Sequence, residues 1–146
     1  METIVVLDTN IFVSAILGPK GASREILRGC LRKDFQPIMG NALFLEYEAL
    51  LARKHLFAAS PLTQGEREVL CNAFLSVCQW INVYYAWRPN LKDEADNHLI
   101  ELAVAGGAGF IVTKNIKDFR NAELIFPGIK VIFPEKFLQE VQQCRH

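Results

Sequence analysis

The chain begins with a short apolar run that stops at an acid. Residues 4–7 read Ile-Val-Val-Leu, and Asp8, Thr9 and Asn10 follow directly. A continuous apolar run of this length, followed by a helical pattern, is typical of a central strand in a parallel sheet. In such sheets the chemistry lies just outside the carboxyl ends of the strands. Asp8 is therefore either the N-cap of the next helix or part of a functional site.

Length and composition exclude several classes of protein. The 146 residues predict one domain, and 51% apolar residues suffice for a filled core. Basic and acidic residues number 16 each, so a polyanion must be held by a local patch or through metal ions. The four cysteines include no C-x-x-C pair, which predicts buried free thiols and a reducing cytoplasm. No apolar run reaches the length of a membrane span, so we expect no membrane partner.

Strand and helix patterns alternate along the rest of the chain. Further strands are predicted at 35–39, 81–86, 110–112 and 131–133. Helices are predicted at 11–17, 23–32, 42–54, 63–79 and 134–143, and another ends at 106–107. Ser23 and Asn41 are the predicted caps of two helices, and Thr63 with Glu66 has the pattern of a capping box. This order predicts an α/β fold of three layers, with a central parallel sheet of about five strands.

Acidic and amide side chains stand at four places near the carboxyl ends of these strands. They are Asp8; Glu46, early in a helix; Asp93 with Asp96, in a first helical turn; and Asn115 with Asp118. Singly, each has an ordinary interpretation as a helix cap, a surface residue or a partner of a helix dipole. Together, buried like charges would repel, and divalent cations relieve that repulsion. Oxygen ligands favour Mg²⁺ or Mn²⁺ over zinc, which indicates metal-assisted phosphodiester hydrolysis.

Basic residues flank the last of these places. Lys114, Lys117 and Arg120 are candidates for phosphate contacts, with ordinary loop solubility as the alternative. His98, two residues after Asp96, is either a metal ligand or a hydrogen-bonded or solvent-facing side chain. The second interpretation of His98 is the favoured one.

Taken in order, these motifs resemble the PIN-domain ribonucleases, and among them the VapC-like toxins of toxin–antitoxin pairs. The motifs are Leu-Asp-Thr-Asn at 7–10, Leu-Glu-Tyr at 45–47, Asp-Glu-Ala-Asp at 93–96 and Ile-Val-Thr-Lys-Asn-Ile-Lys-Asp-Phe at 111–119. The resemblance implies a single PIN domain over 1–146 and an endoribonuclease dependent on Mg²⁺ or Mn²⁺. It also implies a homodimer and a cognate antitoxin protein, with helices 23–32 and 42–54 as the candidate antitoxin groove.

The resemblance further implies roles for individual residues. The catalytic acids are Asp8, Glu46 and Asp96; the metal ligands are these three with Asp93 and Asp118; the site is lined by Thr9, Asn10, Thr113 and Asn115. Many PIN domains carry Thr-x-Asp after the fourth strand, where this chain has Thr113-Lys114-Asn115. Either Asn115 is a weaker, neutral ligand, or Asp118 supplies the fourth acid.

Two other functions stay open. A phosphatase on a similar sheet would use Asp8 as its nucleophile. The Asp-x-Asp doublet typical of haloacid-dehalogenase phosphatases is absent, however, because Asn10 follows Thr9. A PIN-like module that binds RNA or a partner without cutting is the other alternative, and the neutral Asn115 makes it plausible.

Overall fold

The computed structural model describes residues 2–18, 21–83, 97–119 and 126–144. Its strands are β1 (Ile4–Leu7), β2 (Gln36–Met39), β3 (Gln79–Trp80), β4 (Phe110–Val112) and β5 (Lys130–Ile132). Its helices are α1 (Thr9–Leu17), α2 (Ala22–Leu31), α3 (Asn41–Leu51), α4 (Gln64–Val77), α5 (Asn97–Gly106) and α6 (Pro134–Cys144). Short 3₁₀ helices span Lys54–Phe57 and Ile116–Phe119.

The described strands form a five-stranded parallel sheet in the order β3-β2-β1-β4-β5. β1 is central, and its last residue, Leu7, pairs with Val112 at the end of β4. Because all the strands run in one direction, their carboxyl ends share one edge, and Asp8 begins there. Helical layers cover both faces of the sheet, which confirms the predicted three-layer α/β fold.

An aromatic cluster joins three helices near the central strand. Phe12 of α1, Tyr47 of α3 and Phe74 of α4 are almost fully buried. Their ring centroids lie 5.5–5.9 Å apart, a distance at which aromatic pairs each contribute about 0.5–1.5 kcal/mol beyond burial. The cluster therefore positions α3 relative to the end of β1.

The remaining helices pack on the sheet and on one another. Helix α5 packs against β1, β2 and β4, while α2 contacts α1, α4 and α6.

Of the N-caps predicted at Ser23, Asn41 and Thr63, the structure confirms the one at Thr63. Thr63 and Glu66 form the predicted capping box of α4, with N···O distances of 3.2 and 2.9 Å. Ser23 is not the cap of α2, because the helix begins at Ala22 and buries Ser23 inside its first turn. Asn41 is likewise the first residue of α3 and not its cap.

The third strand differs from its predicted position at 81–86. β3 comprises only Gln79–Trp80, and these residues pair with Ile38 and Met39. Met39 is the last residue of β2, so β3 ends where β2, its partner strand, ends. Residues 84–86 lie outside the described residues.

The thiols of Cys30, Cys71 and Cys78 are free and buried, as predicted. Burial is the main cause that raises the pKa of Cys30, to about 12, so that its thiol stays protonated and unreactive. Within the described part of the chain, no helix combines the length and apolarity needed to cross a bilayer. The single domain over 1–146 and the cytoplasmic location stay predictions.

Candidate active site

Asp8 stands at the carboxyl end of β1 and is only 6% exposed. Its Oδ1 accepts a hydrogen bond from the backbone N–H of Thr9 at 2.7 Å, as the N-cap of α1. Its Oδ2 accepts a hydrogen bond from the Thr113 hydroxyl at 2.8 Å. The two interpretations of Asp8 are therefore compatible, because capping uses one oxygen and leaves the other facing the end of β4.

Thr113 connects the ends of β1 and β4. It is fully buried, and besides donating to Asp8 it accepts from the backbone N–H of Asn115 at 3.0 Å. The Asn10 side-chain amide also approaches the Thr113 hydroxyl at 3.4 Å. The amide oxygen of Asn10 accepts in turn from the Lys114 N–H at 3.4 Å. The predicted site-lining residues therefore do lie together, although Asn115 takes part through its backbone.

Tyr47, the residue after Glu46, connects α3 to the end of β1. Tyr47 is buried and donates its hydroxyl to the carbonyl oxygen of Leu7 at 2.8 Å, and Leu7 immediately precedes Asp8. Burial is the main cause that raises the pKa of Tyr47, so the phenol stays a donor. Glu46 itself is half-buried, with its side chain 39% exposed. This hydrogen bond thus joins the residue after Glu46 to the residue before Asp8.

Tyr47→Phe should lower the free energy of unfolding by about 1–3 kcal/mol, because the buried Leu7 carbonyl loses this donor. Urea denaturation measures the change. Ser76→Ala is the matched control, since it removes an exposed hydroxyl-to-carbonyl bond of 2.7 Å and should change stability by less than about 0.5 kcal/mol. Equal effects of the two substitutions would contradict the placement of α3 by Tyr47.

His98, on α5, lies against Glu46. The distance from His98 Nε2 to Glu46 Oε1 is 3.2 Å, which is within ion-pair range. The two atoms are not hydrogen-bonded, however, and neither ring nitrogen has a hydrogen-bond partner among the described residues. This differs from the favoured prediction of a hydrogen-bonded or solvent-facing histidine. No sequence signal points to the pair, because it arises only where α3 packs on α5.

Lys114 brings a positive charge to the same edge. Its Nζ donates to the Ser14 hydroxyl of α1 at 2.7 Å. Across the described ranges Lys114 has no salt bridge, and its side chain is exposed. Lys117 is exposed as well. Lys114 therefore has a neutral partner that orients it and a charge that remains available to a phosphate.

Several predicted site residues lie beyond what the structure describes. Asp93, Asp96 and Arg120 are outside the described residues. Asp118 belongs to the 3₁₀ helix Ile116–Phe119, but its side chain is not among those described. The roles assigned to these four residues stay predictions.

The donor atoms that are described fit a divalent cation. Asp8 and Glu46 supply oxygen donors, and neither has a lysine or arginine salt-bridge partner in the described part of the chain. Hard divalent cations prefer such oxygen donors. The described residues alone contain no group of three or more candidate ligands, so they supply part of a metal site.

Comparisons with known proteins agree with this geometry. Residues 4–117 match the sequence profile described as the PIN domain. The fold is similar to that of a chain in the crystal structure of VapBC2 from Rickettsia felis. In that structure VapBC2 is bound to a DNA fragment from its promoter. The TM-score is 0.61 at 17% sequence identity, and the match covers 90% of this chain and 98% of that chain. A comparison with curated proteins gives no match.

Proposed function

Because the chain belongs to the PIN-domain family, we propose that it is an endoribonuclease that hydrolyses RNA phosphodiester bonds with Mg²⁺ or Mn²⁺ as its cofactor. The observation that carries this proposal is the buried Asp8–Thr113 contact at the carboxyl edge, beside which Tyr47, the neighbour of Glu46 on α3, donates a hydrogen bond to Leu7. A carboxylate in this position of a parallel sheet, covered by hydroxyl and amide donors, is prepared to hold a cation.

Asp8 and Glu46 are the proposed ligands within the described residues. Asp93, Asp96 and Asp118 are the further proposed ligands, and Asp96 is the third catalytic acid. When bound, the cation would lower the pKa of the attacking water and compensate negative charge on the phosphate. Thr9 and Thr113 hold both oxygens of Asp8 in place, so little reorganisation accompanies the reaction.

The proposed phosphate contacts are Lys114, Lys117 and Arg120. An ammonium group has three donors, and the Ser14 hydroxyl occupies only one donor of Lys114. The other two can reach phosphate oxygens of an RNA strand that crosses the site. Such contacts orient the backbone without reading sequence.

A cleavage assay tests the proposed function against its alternatives. The native protein with Mn²⁺ is incubated with a single-stranded RNA oligonucleotide and, separately, with p-nitrophenyl phosphate. We expect RNA fragments and no release of nitrophenol. Nitrophenol release alone would favour the phosphatase, and RNA binding without cleavage would favour the non-catalytic module.

Mn²⁺ should raise the melting temperature, because it relieves the repulsion between the carboxylates of the site. At a concentration about a hundredfold above its dissociation constant, a ligand stabilises the folded state by about 2.7 kcal/mol. For a chain of this size that corresponds to a shift of about 5–10 °C. Differential scanning fluorimetry measures it. Asp8→Asn should lose most of the shift, and an unchanged shift in that variant would contradict the assignment of Asp8.

We also propose that the protein is the toxin of a toxin–antitoxin pair, acts in the cytoplasm and forms a homodimer. The resemblance to VapC-like toxins and the fold shared with VapBC2 support an antitoxin partner. A groove of about 550 Å³ between α1 and α3, next to Lys114, is the proposed antitoxin groove; its apolar residues are Val13, Leu17, Leu50 and Leu56. We prefer this groove to one on α2, because Ile26, Leu27 and Cys30 of α2 are already buried in the core.

Light scattering at micromolar concentration should give about twice the 16.5 kDa mass of one chain. A homodimer is expected because the chain resembles VapC-like toxins. Measurement at a tenfold lower concentration serves as the control for nonspecific association, which would disperse on dilution. A strict monomer at both concentrations would contradict the dimer and leave the nuclease proposal untouched.

A further inference from the structure

The imidazole of His98 is a buried polar group without a hydrogen bond in the described part of the chain. Its side chain is 17% exposed, both ring nitrogens are buried, and neither forms a hydrogen bond with a described residue. Folded proteins leave few buried polar atoms in this condition, and each calls for a specific cause such as a bound water or ion. A carboxylate oxygen of Glu46, which is itself a proposed metal ligand, lies 3.2 Å from His98 Nε2.

We infer that His98 is a nitrogen ligand of the proposed metal site, beside Glu46, and that the site therefore prefers Mn²⁺ to Mg²⁺. The inference rests on the proposed metal-dependent function. It adds a ligand of a different chemical type to a site otherwise predicted to consist of oxygens.

The spacing of the two donor atoms suits neighbouring ligands of one ion. Adjacent ligands of an octahedral ion, each about 2.1 Å from it, are about 3 Å apart. His98 Nε2 and Glu46 Oε1 are 3.2 Å apart and are not hydrogen-bonded to each other. A carboxylate and an imidazole at this distance, neither committed to the other, can both turn toward a shared cation.

An ion can reach this pair from solvent. Glu46 is half-exposed, and His98 lines a cleft of about 630 Å³ beside the amino end of α3. The cleft wall also includes Gly40, Asn41 and Glu101. The pair is thus buried enough to leave the imidazole unsatisfied and open enough to admit a cation.

The ligand type has a consequence for the choice of metal. Magnesium prefers an all-oxygen octahedral environment and gives up its waters reluctantly, whereas imidazole is a common ligand of transition-metal ions. Replacing His98 should therefore weaken Mn²⁺ binding more than Mg²⁺ binding. We expect His98→Gln to lower the affinity for Mn²⁺ by about 10–100-fold and that for Mg²⁺ by less than about threefold.

Pulsed electron paramagnetic resonance of the untagged protein with Mn²⁺ alone tests the ligand directly. We expect ¹⁴N coupling to the bound Mn²⁺ in the native protein, its loss in His98→Gln, and its retention in His55→Gln, a control at an exposed histidine of the 3₁₀ helix Lys54–Phe57. Melting curves establish that both variants are folded, and titration calorimetry gives the two metal affinities.

The outcomes separate the inference from the proposed function. Bound Mn²⁺ without ¹⁴N coupling in the native protein, or coupling that persists in His98→Gln, would overturn the inference while the oxygen-ligated site stands. A native protein that binds no Mn²⁺ would overturn the metal-dependent function as well. Equal losses of Mn²⁺ and Mg²⁺ affinity in a folded His98→Gln variant would overturn the preference for Mn²⁺.

Discussion

Asp8→Asn should lower the rate of RNA cleavage by roughly 10²–10³-fold while leaving the fold intact. The substitution removes a negative charge from the proposed metal site, and stabilising interactions of this kind at a reaction centre are of that magnitude. The fold should persist because Asn is as good an N-cap as Asp, and its oxygen can still accept from the Thr9 N–H. Initial rates with Mn²⁺ and a melting curve measure the two effects. Asp96→Asn should lower the rate in the same way.

Two glutamates of α3 provide a matched comparison for the second acid. Glu46 faces His98 on α5. Glu48 faces α4, where it is the second cause, after burial, that raises the pKa of the Cys71 thiol. Glu46→Gln should therefore reduce cleavage about as much as Asp8→Asn, and Glu48→Gln should change it by less than about twofold. Similar rates for the two glutamate variants would show that Glu46 is misplaced.

Asp118→Asn should reduce cleavage about as much as Asp96→Asn, because we assign the fourth acid to Asp118. Asn115→Ala should act mildly. The contact of Asn115 with Thr113 comes from its backbone N–H, which alanine keeps, and its side chain is exposed. If Asn115 were the ligand instead, Asn115→Asp would tighten Mn²⁺ binding by on the order of 1 kcal/mol, since it adds a charge in a partly solvated site.

Mn²⁺ affinity and RNA cleavage, measured side by side for these three variants, decide between Asp118 and Asn115. Asn115→Ala also serves as the control for disturbance of the loop after β4. An Asp118→Asn enzyme with unchanged affinity and rate would refute the assignment of Asp118 and return the role to Asn115.

The parts of the site that depend on strand ends could be predicted from sequence. Asp8 and Thr113 each follow a buried apolar run, and two such runs that pair in parallel end side by side. The register confirms this, since Leu7 pairs with Val112 and places the next residues together. The three-layer fold followed from the same alternation of strands and helices. These features require only local patterns and one rule of topology.

The parts that depend on how helices pack could not be predicted. His98 and Glu46 lie far apart in sequence, and each has an ordinary local interpretation. Their contact follows from the way α3 crosses α5, which no local pattern encodes. β3 is a second example. Strand propensity favours residues 81–86, but pairing with β2 ends at Trp80, opposite the last residue of β2. Propensity describes a segment, whereas hydrogen bonding requires a partner.

The most direct measurement of the central claim is cleavage of a labelled single-stranded RNA by the native protein after metal removal. We predict no cleavage in EDTA, recovery of cleavage when excess Mn²⁺ is added, and no comparable recovery in Asp8→Asn, because the reaction requires a cation held by Asp8. Cleavage by the metal-free native protein, or a native rate from Asp8→Asn in Mn²⁺, would contradict a metal-dependent nuclease centred on this carboxylate.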